Sequence, residues 1–406
     1  MTLLVKSTRH DRNSLIALIG AGHFFSHFVM LALPPLFLLI KQELGVSYVA
    51  LGAIVSVMAT TTAVGQIPMG FLVDRIGGRL ILLCGIGLMS GCLLLVGYVS
   101  SYGALFALFA LAGIGNSVFH PADFAIMAAK LDDTVHGRAF SIHSFTGYLG
   151  WAFAALIMLP MATLLGWRLA IMVVGVVGAA IVIAMIAGAR FLDDRRALAE
   201  KTGVDGPAPR GVRAGIRLMA SLPMLMMFTF FGLSATATSS IMAFSIPANV
   251  MLHGIDVLTA SLALTAHLVA SAVGVLIGGW LADRTDRHNL VTSLAIMMMA
   301  LAVLLLALDG VVLMVTVAWM IGAGMLYGIS SPSRDILIKK ATPTGSAGVA
   351  FGFTSSGMSV GNLIGPLICG WLMDQGRPQL MFIVLAMIIA VSIVTVVLTR
   401  PHAAEA

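Results

Sequence analysis

Long apolar runs separated by short polar breaks fill nearly all of the 406 residues. A helix that crosses a bilayer needs about 20 mostly apolar residues, because its backbone must pair its own polar groups inside hydrocarbon. Runs of that kind fall at 14–40, 47–72, 79–99, 103–129, 137–165 and 168–192, and again at 218–248, 257–282, 289–308, 311–338, 347–373 and 378–399. They predict an all-α membrane protein with twelve transmembrane helices. The first run follows Lys6, Arg9 and Arg12 but far exceeds the roughly 7–15 residues of a signal core, so it is expected to remain as the first span. The polar gap at 193–217 holds Asp193, Asp194, Arg195, Arg196 and the stretch TGVDGPAPRG. It predicts a solvated linker between an N-terminal bundle, 1–192, and a C-terminal bundle, 218–406.

The two halves repeat. GFLVDRIGGR at 70–79 parallels GWLADRTDRH at 279–288, pairing Gly70 with Gly279, Asp74 with Asp283 and Arg75 with Arg284. Gly113 and Gly115 match Gly322 and Gly324 at the same offset, and Pro121 matches Pro332 two residues further on. A duplicated six-helix unit is the architecture of a transporter with two parallel halves.

Composition narrows the class. The chain is 59% hydrophobic and 10% charged, too few charges to dissolve a soluble domain of this length. Its net charge of +6 does not point to nucleic acid, because the basic residues segregate by side. With both termini on one side, that side carries 20 of the 23 Lys and Arg, leaving Lys41, Arg168 and Arg377 opposite. The bias predicts cytoplasmic termini. Cys84, Cys92 and Cys369 lie in apolar runs without metal-ligand spacing and are read as core-filling residues. No metal site, cofactor or enzyme motif is expected: no clustered nucleophile, metal-ligand pair or nucleotide loop stands out.

One stretch departs from the apolar pattern. GNSVFHPADFAIM, 115–127, sets His120, Pro121 and Asp123 inside a span, with Asn116 one turn before the histidine. Pro121 removes a backbone donor and clashes with the Ser117 carbonyl, so the helix should bend beside His120. Pro332 repeats the device, and Pro34 with Pro35 interrupts the first span. That span carries His23 and His27 on one face, His27 about 20 Å in from Ser14 and so near mid-bilayer. An ionisable group at that depth is a functional candidate, and histidine exchanges a proton near neutral pH.

G-x-L-x-D-R-x-G-G-R at 70–79, its echo at 279–288 and the twelve spans together resemble the major facilitator superfamily. The stretch GIGNSVFHPADFAIMAA followed by HGRAFSIHSFTGYLG is similar to the fosmidomycin-resistance group of bacterial efflux proteins. The first resemblance implies two pseudo-symmetric six-helix bundles. It also implies a central cavity lined by helices 1, 4, 7 and 10, where His23, His27, Asn116, His120, Tyr327 and Ser330 would bind substrate or protons. Thr236, Thr238, Ser239, Ser240 and Ser331 are further polar positions on the same helices. His143 and His267, on helices 5 and 8, are weaker candidates.

The resemblance also implies a conformational latch at Gly70, Asp74, Arg75 and Arg79, repeated at Asp283 and Arg284. Asp123 is expected to pair with Arg75 or Arg79, and Arg334 with Asp283. The Gly-Pro pair that many drug-antiporting relatives carry in helix 5 is absent there and stands at Gly365-Pro366 in helix 11.

The function these features imply is proton-coupled efflux of a small polar or anionic compound or drug by alternating access. The alternative is proton symport that imports a small organic acid. The expected partners are a small-molecule substrate, protons and the lipid bilayer, with no nucleic acid. The expected form is a monomer in the bacterial inner membrane.

Overall fold

A computed structural model of the chain describes residues 9–131, 133–194, 212–308, 313–341 and 347–398. Among them are twelve helices long and apolar enough to cross a membrane. The predicted spans are met throughout. The linker expected at 193–217 lies mostly outside the described residues, as does the side chain of Asp74.

The first span is α1 (Arg9–Ala32), a 3-10 turn (Pro34–Leu36) and α2 (Phe37–Leu44). The proline pair breaks the helix where expected, and Leu36 N–H bonds back to the Leu33 carbonyl at 2.9 Å. The second span is α3 (Tyr48–Ile76) and the third α4 (Gly78–Val96). The fourth is split into α5 (Tyr102–Asn116) and α6 (Phe119–Lys130). The break falls at Ser117–Val118, so Pro121 occupies the first turn of α6, where a missing N–H costs least. The Ser117 carbonyl is thereby spared a clash.

The fifth and sixth spans are α7 (Asp133–Leu165) and α8 (Trp167–Ala187), followed by α9 (Ala189–Leu192) and α10 (Val212–Met219). The remaining spans are α11 (Leu222–His253), α12 (Val257–Ala282), α13 (His288–Leu305), α14 (Leu313–Ala341), α15 (Ala347–Asp374) and α16 (Pro378–Leu398). The α14 helix runs through Pro332 without interruption, unlike its counterpart at Pro121.

The contacts divide the chain into two compact units, Met1–Leu36 with Val57–Gly206 and Phe37–Ser56 with Pro207–Ala406. In the first unit α1 packs along α7, and α4 packs against both α5 and α8. In the second, α11 packs along α15, α12 along α14, and α13 against both α14 and α16. Spans 1 with 5 and 7 with 11, and spans 3 with 6 and 9 with 12, are therefore paired alike, as a duplicated unit requires. Large apolar side chains such as Ile67, Phe71, Ile183 and Leu276 stand exposed along the spans, as lipid-facing residues do.

Segment 37–56 groups with the second unit for a specific reason. Asp374, at the end of α15, accepts the Tyr48 and Val49 N–H groups at 2.7 and 2.9 Å. These are unpaired donors at the start of α3, and an anion there is favoured by the helix dipole as well. Lys41 lies 3.9 Å from the same carboxylate.

The loop motif is held differently from expectation. Asp194 accepts the Gly78 N–H at 2.7 Å and so caps α4. Gly77 before it has φ +94°, which a side chain would strain. Arg79 turns to Asp193 at 3.9 Å and to the Ala189 carbonyl at 3.4 Å. It does not pair with Asp123. Arg75 is exposed, and a Cβ added at Gly70 would meet nothing within 4 Å. In the second half Arg284 folds back onto Trp280, 4.1 Å above the ring and 3.1 Å from its carbonyl. Arg334 pairs with the adjacent Asp335 at 3.0 Å and lies 4.5 Å over the Phe231 ring, not on Asp283. The exposed Asp283 ends α12. Arg79 and Arg334 thus take other partners than those expected.

Cys92 and Cys369 are buried as expected, whereas Cys84 is exposed on its span.

Candidate functional site: a buried carboxylate among four imidazoles

The site forms where α1, α6 and α7 meet inside the first unit. Two glycines on α7 allow the approach. A Cβ at Gly150 would lie 2.3 Å from the Phe24 carbonyl oxygen, and one at Gly147 would lie 2.8 Å from His23 Nε2 and from His27 Cε1. Small residues bring the backbones together, and the imidazoles of α1 fill the space left at Gly147.

Asp123 is the centre. It is fully buried. Its Oδ2 accepts a hydrogen bond from His143 Nε2 at 2.9 Å, which places the His143 proton on Nε2 if the carboxylate is charged. His23 Nδ1 lies 3.7 Å from the same oxygen. The His23 and His143 rings stack, with centroids 3.6 Å apart and planes 25° apart.

Around this core sit the other two imidazoles. The His27 ring is 4.3 Å from His23 on one side and 4.3 Å from Trp151 on the other. The His120 ring is 5.5 Å from His23, stacks on Phe124 at 5.8 Å and is itself exposed. Several buried polar atoms make no hydrogen bond: His23 Nδ1, His27 Nδ1, Asp123 Oδ1 and Trp151 Nε1. Burying a charge costs several kcal/mol unless it is compensated, so the carboxylate needs a positive partner. Among the described residues, the groups recorded against it are imidazoles and not Lys or Arg.

A polar chain braces the site from the side. Ser26 on α1 donates to Asn116 Oδ1 at 2.5 Å, Asn116 Nδ2 donates to Thr62 Oγ1 on α3 at 3.3 Å, and Thr62 donates to the Gly113 carbonyl at 3.0 Å. Asn116 is 5% exposed. Both ends of its amide are used to tie three helices together, a different role from the ligand contact expected of it.

In the second unit the hydroxyls are turned inward on their own helices. Ser330 and Ser331 donate to the Tyr327 carbonyl at 2.7 and 3.3 Å, and Thr236, Thr238 and Ser240 bond back one turn. His267 is buried against the Met320 carbonyl at 2.9 Å, a single satisfied ring. Tyr327 and Ser330 thus belong to a different unit from His23, His27, His120 and His143.

The structure brings the rings of His23, His27 and His120 near one another, and adds His143, a weaker candidate by sequence, and Trp151, which the sequence does not single out. The available signal was HSFTGYLG itself: His143 and Gly147 are one turn apart, so the face that admits α1 also carries the imidazole. Asp123, expected in the latch with Arg75 or Arg79, instead lies against His143 and His23.

Comparison with known proteins agrees with this architecture. A family model described as Major Facilitator Superfamily matches residues 19–249 and 229–406. The Fosmidomycin resistance protein of Escherichia coli (strain K12) is 25% identical over 292 residues, 70% of this chain and 69% of that protein. The Probable L-galactonate transporter of Escherichia coli (strain K12) is 28% identical over 141 residues, and the match spans 35% of this chain and only 31% of that relative. Among solved structures, the nucleoside transporter NupG superposes with a TM-score of 0.77 at 14% identity, covering 95% of this chain and 98% of NupG. That likeness shows the fold. A twelve-span chain whose halves are paired alike, matched by the family model over nearly its whole length, belongs to the Major Facilitator Superfamily of multi-pass membrane transporters.

Proposed function

We propose that this chain is a proton-coupled exporter of a small polar or anionic compound. The observation that carries the reading is the buried Asp123 carboxylate on α6, faced by His23 of α1 and His143 of α7, with the His27 and His120 rings beside His23. Such a group can hold a proton in one state and release it in another, because the balance of charge changes whenever the three helices shift. His27 and His120, on the flank of the core, would meet the substrate. The break before Pro121 gives α6 freedom to move Asp123 relative to α7. The efflux direction is taken from the fosmidomycin-resistance relative.

The loop at 70–79 would act as the latch, but through Arg79 and Asp193 and not through Asp123. The basic bias of the loops supports cytoplasmic termini in a bacterial inner membrane, and the protein would act as a monomer.

A second reading is proton symport that imports a small organic acid. It is favoured by the galactonate-transporter relative, although that match covers a third of each chain. Proteoliposomes with an imposed pH gradient separate the two. Fosmidomycin and L-galactonate are the first probes. Accumulation on the acidic side supports the exporter, whereas accumulation driven away from an acidic exterior supports the importer and overturns the export reading.

A further inference from the structure

The core of the cluster has a second chemical capacity. His23, Asp123 and His143 each offer one ligand atom, and these atoms all lie within 4.8 Å of one another. Two of the separations are 2.9 and 3.7 Å. Ligands about 2.0–2.2 Å from a tetrahedral ion stand roughly 3.3 Å apart, between those two values. All three side chains are more than nine-tenths buried, at 2, 0 and 3% exposure. His23 Nδ1 and Asp123 Oδ1 make no hydrogen bond. His27 supplies another unpartnered nitrogen, Nδ1, on a ring 4.3 Å from His23.

We propose that His23, Asp123 and His143 bind one divalent transition-metal ion of the zinc class, with the fourth position open to water. Two neutral imidazoles and one carboxylate suit Zn²⁺, Co²⁺ or Ni²⁺, while Mg²⁺ and Ca²⁺ prefer sets made of oxygen alone. The stacked rings must open for the ion to enter, because a ligating nitrogen points at its metal in the ring plane. Once bound, the ion ties α1, α6 and α7 together across the Ser117–Val118 break and holds the first unit in one arrangement. It is thus an inhibitor of the cycle. The inference rests on ligand geometry alone and does not depend on which ion drives transport.

The test uses the purified full-length protein in detergent, stripped of metal and titrated with Co²⁺. The expected result is one ion per chain with the intense visible bands of a tetrahedral site, displaced by Zn²⁺ and unaffected by Mg²⁺. Asp123→Asn and His143→Gln should each weaken Co²⁺ binding at least ~10-fold, while His10→Gln, an exposed position near the N-terminus, leaves it unchanged. Absence of the bands in the unaltered protein overturns the proposal without any variant having to fold. So does an affinity that falls only in His10→Gln. Because no gradient or transported substrate is involved, failure here is distinct from failure of the export reading, which is measured as flux.

Discussion

His143 Nε2 donates to Asp123 Oδ2 across 2.9 Å inside a site with almost no access to solvent. The two residues come from different helices, and neither has a lysine or arginine recorded beside it among the described residues. Deleting one partner should therefore hurt more than deleting both. His143→Leu leaves a buried carboxylate less compensated and should cost about 3–5 kcal/mol, whereas the Asp123→Leu, His143→Leu double variant should recover much of that loss. Thermal unfolding of the three proteins in one detergent measures it. Equal destabilisation by the single and double variants would show that the pair is not coupled.

The glycine face of α7 gives an ordered series. Gly150→Ala drives a methyl group to 2.3 Å from the Phe24 carbonyl, which cannot move alone, and Gly147→Ala meets side-chain atoms of His23 and His27 at 2.8 Å. Overpacking of this kind costs about 1–3 kcal/mol. Gly150→Ala should be the less stable of the two. Gly147→Ala should fold but disturb the imidazoles, read as altered histidine ring signals in NMR. Gly87→Ala, with nothing within 4 Å, should be neutral or slightly stabilising.

Asn116 makes its contribution as a brace. Asn116→Leu removes the acceptor for Ser26 and the donor to Thr62. Leaving buried hydroxyls with fewer partners should cost about 1–3 kcal/mol. In a double-mutant cycle, Ser26→Ala should cost less in the Asn116→Leu background than alone. Additive losses would mean that the hydrogen bond is not made.

At the start of α3, Asp374→Ala should free the amides of Tyr48 and Val49. The loss is that of a helix cap, about 0.5–2 kcal/mol. Hydrogen exchange at those two amides should accelerate while exchange in the middle of α3 stays slow. Unchanged exchange would show the cap to be dispensable.

The twelve spans were legible because bilayer thickness imposes a length on apolar runs, and the duplication was legible because Gly70 and Gly279 head matching motifs. The break in the fourth span followed from Pro121, although its position at Ser117–Val118 depends on how the helix relieves the clash. Partner choice was harder. The resemblance and charge complementarity point Asp123 to Arg75 or Arg79. Only packing reveals that Gly147 admits His23 and His27 to the side of α7 that carries His143. The same limit applies to Asn116, whose polarity announced a role but not whether the amide faced a ligand or its own neighbours. Arg334 was assigned to Asp283 by repeat symmetry, while the adjacent Asp335 and the Phe231 ring lay closer.

The central claim is that the imidazole–carboxylate cluster carries the coupling proton. It is tested most directly in proteoliposomes loaded with a pH-sensitive dye, with fosmidomycin and L-galactonate offered as substrates. The unaltered protein should move protons opposite to the compound it transports. The Asp123→Asn and His23→Gln variants should still exchange that compound between the two faces, but without proton movement. Proton movement at the unaltered ratio in both variants would contradict the account.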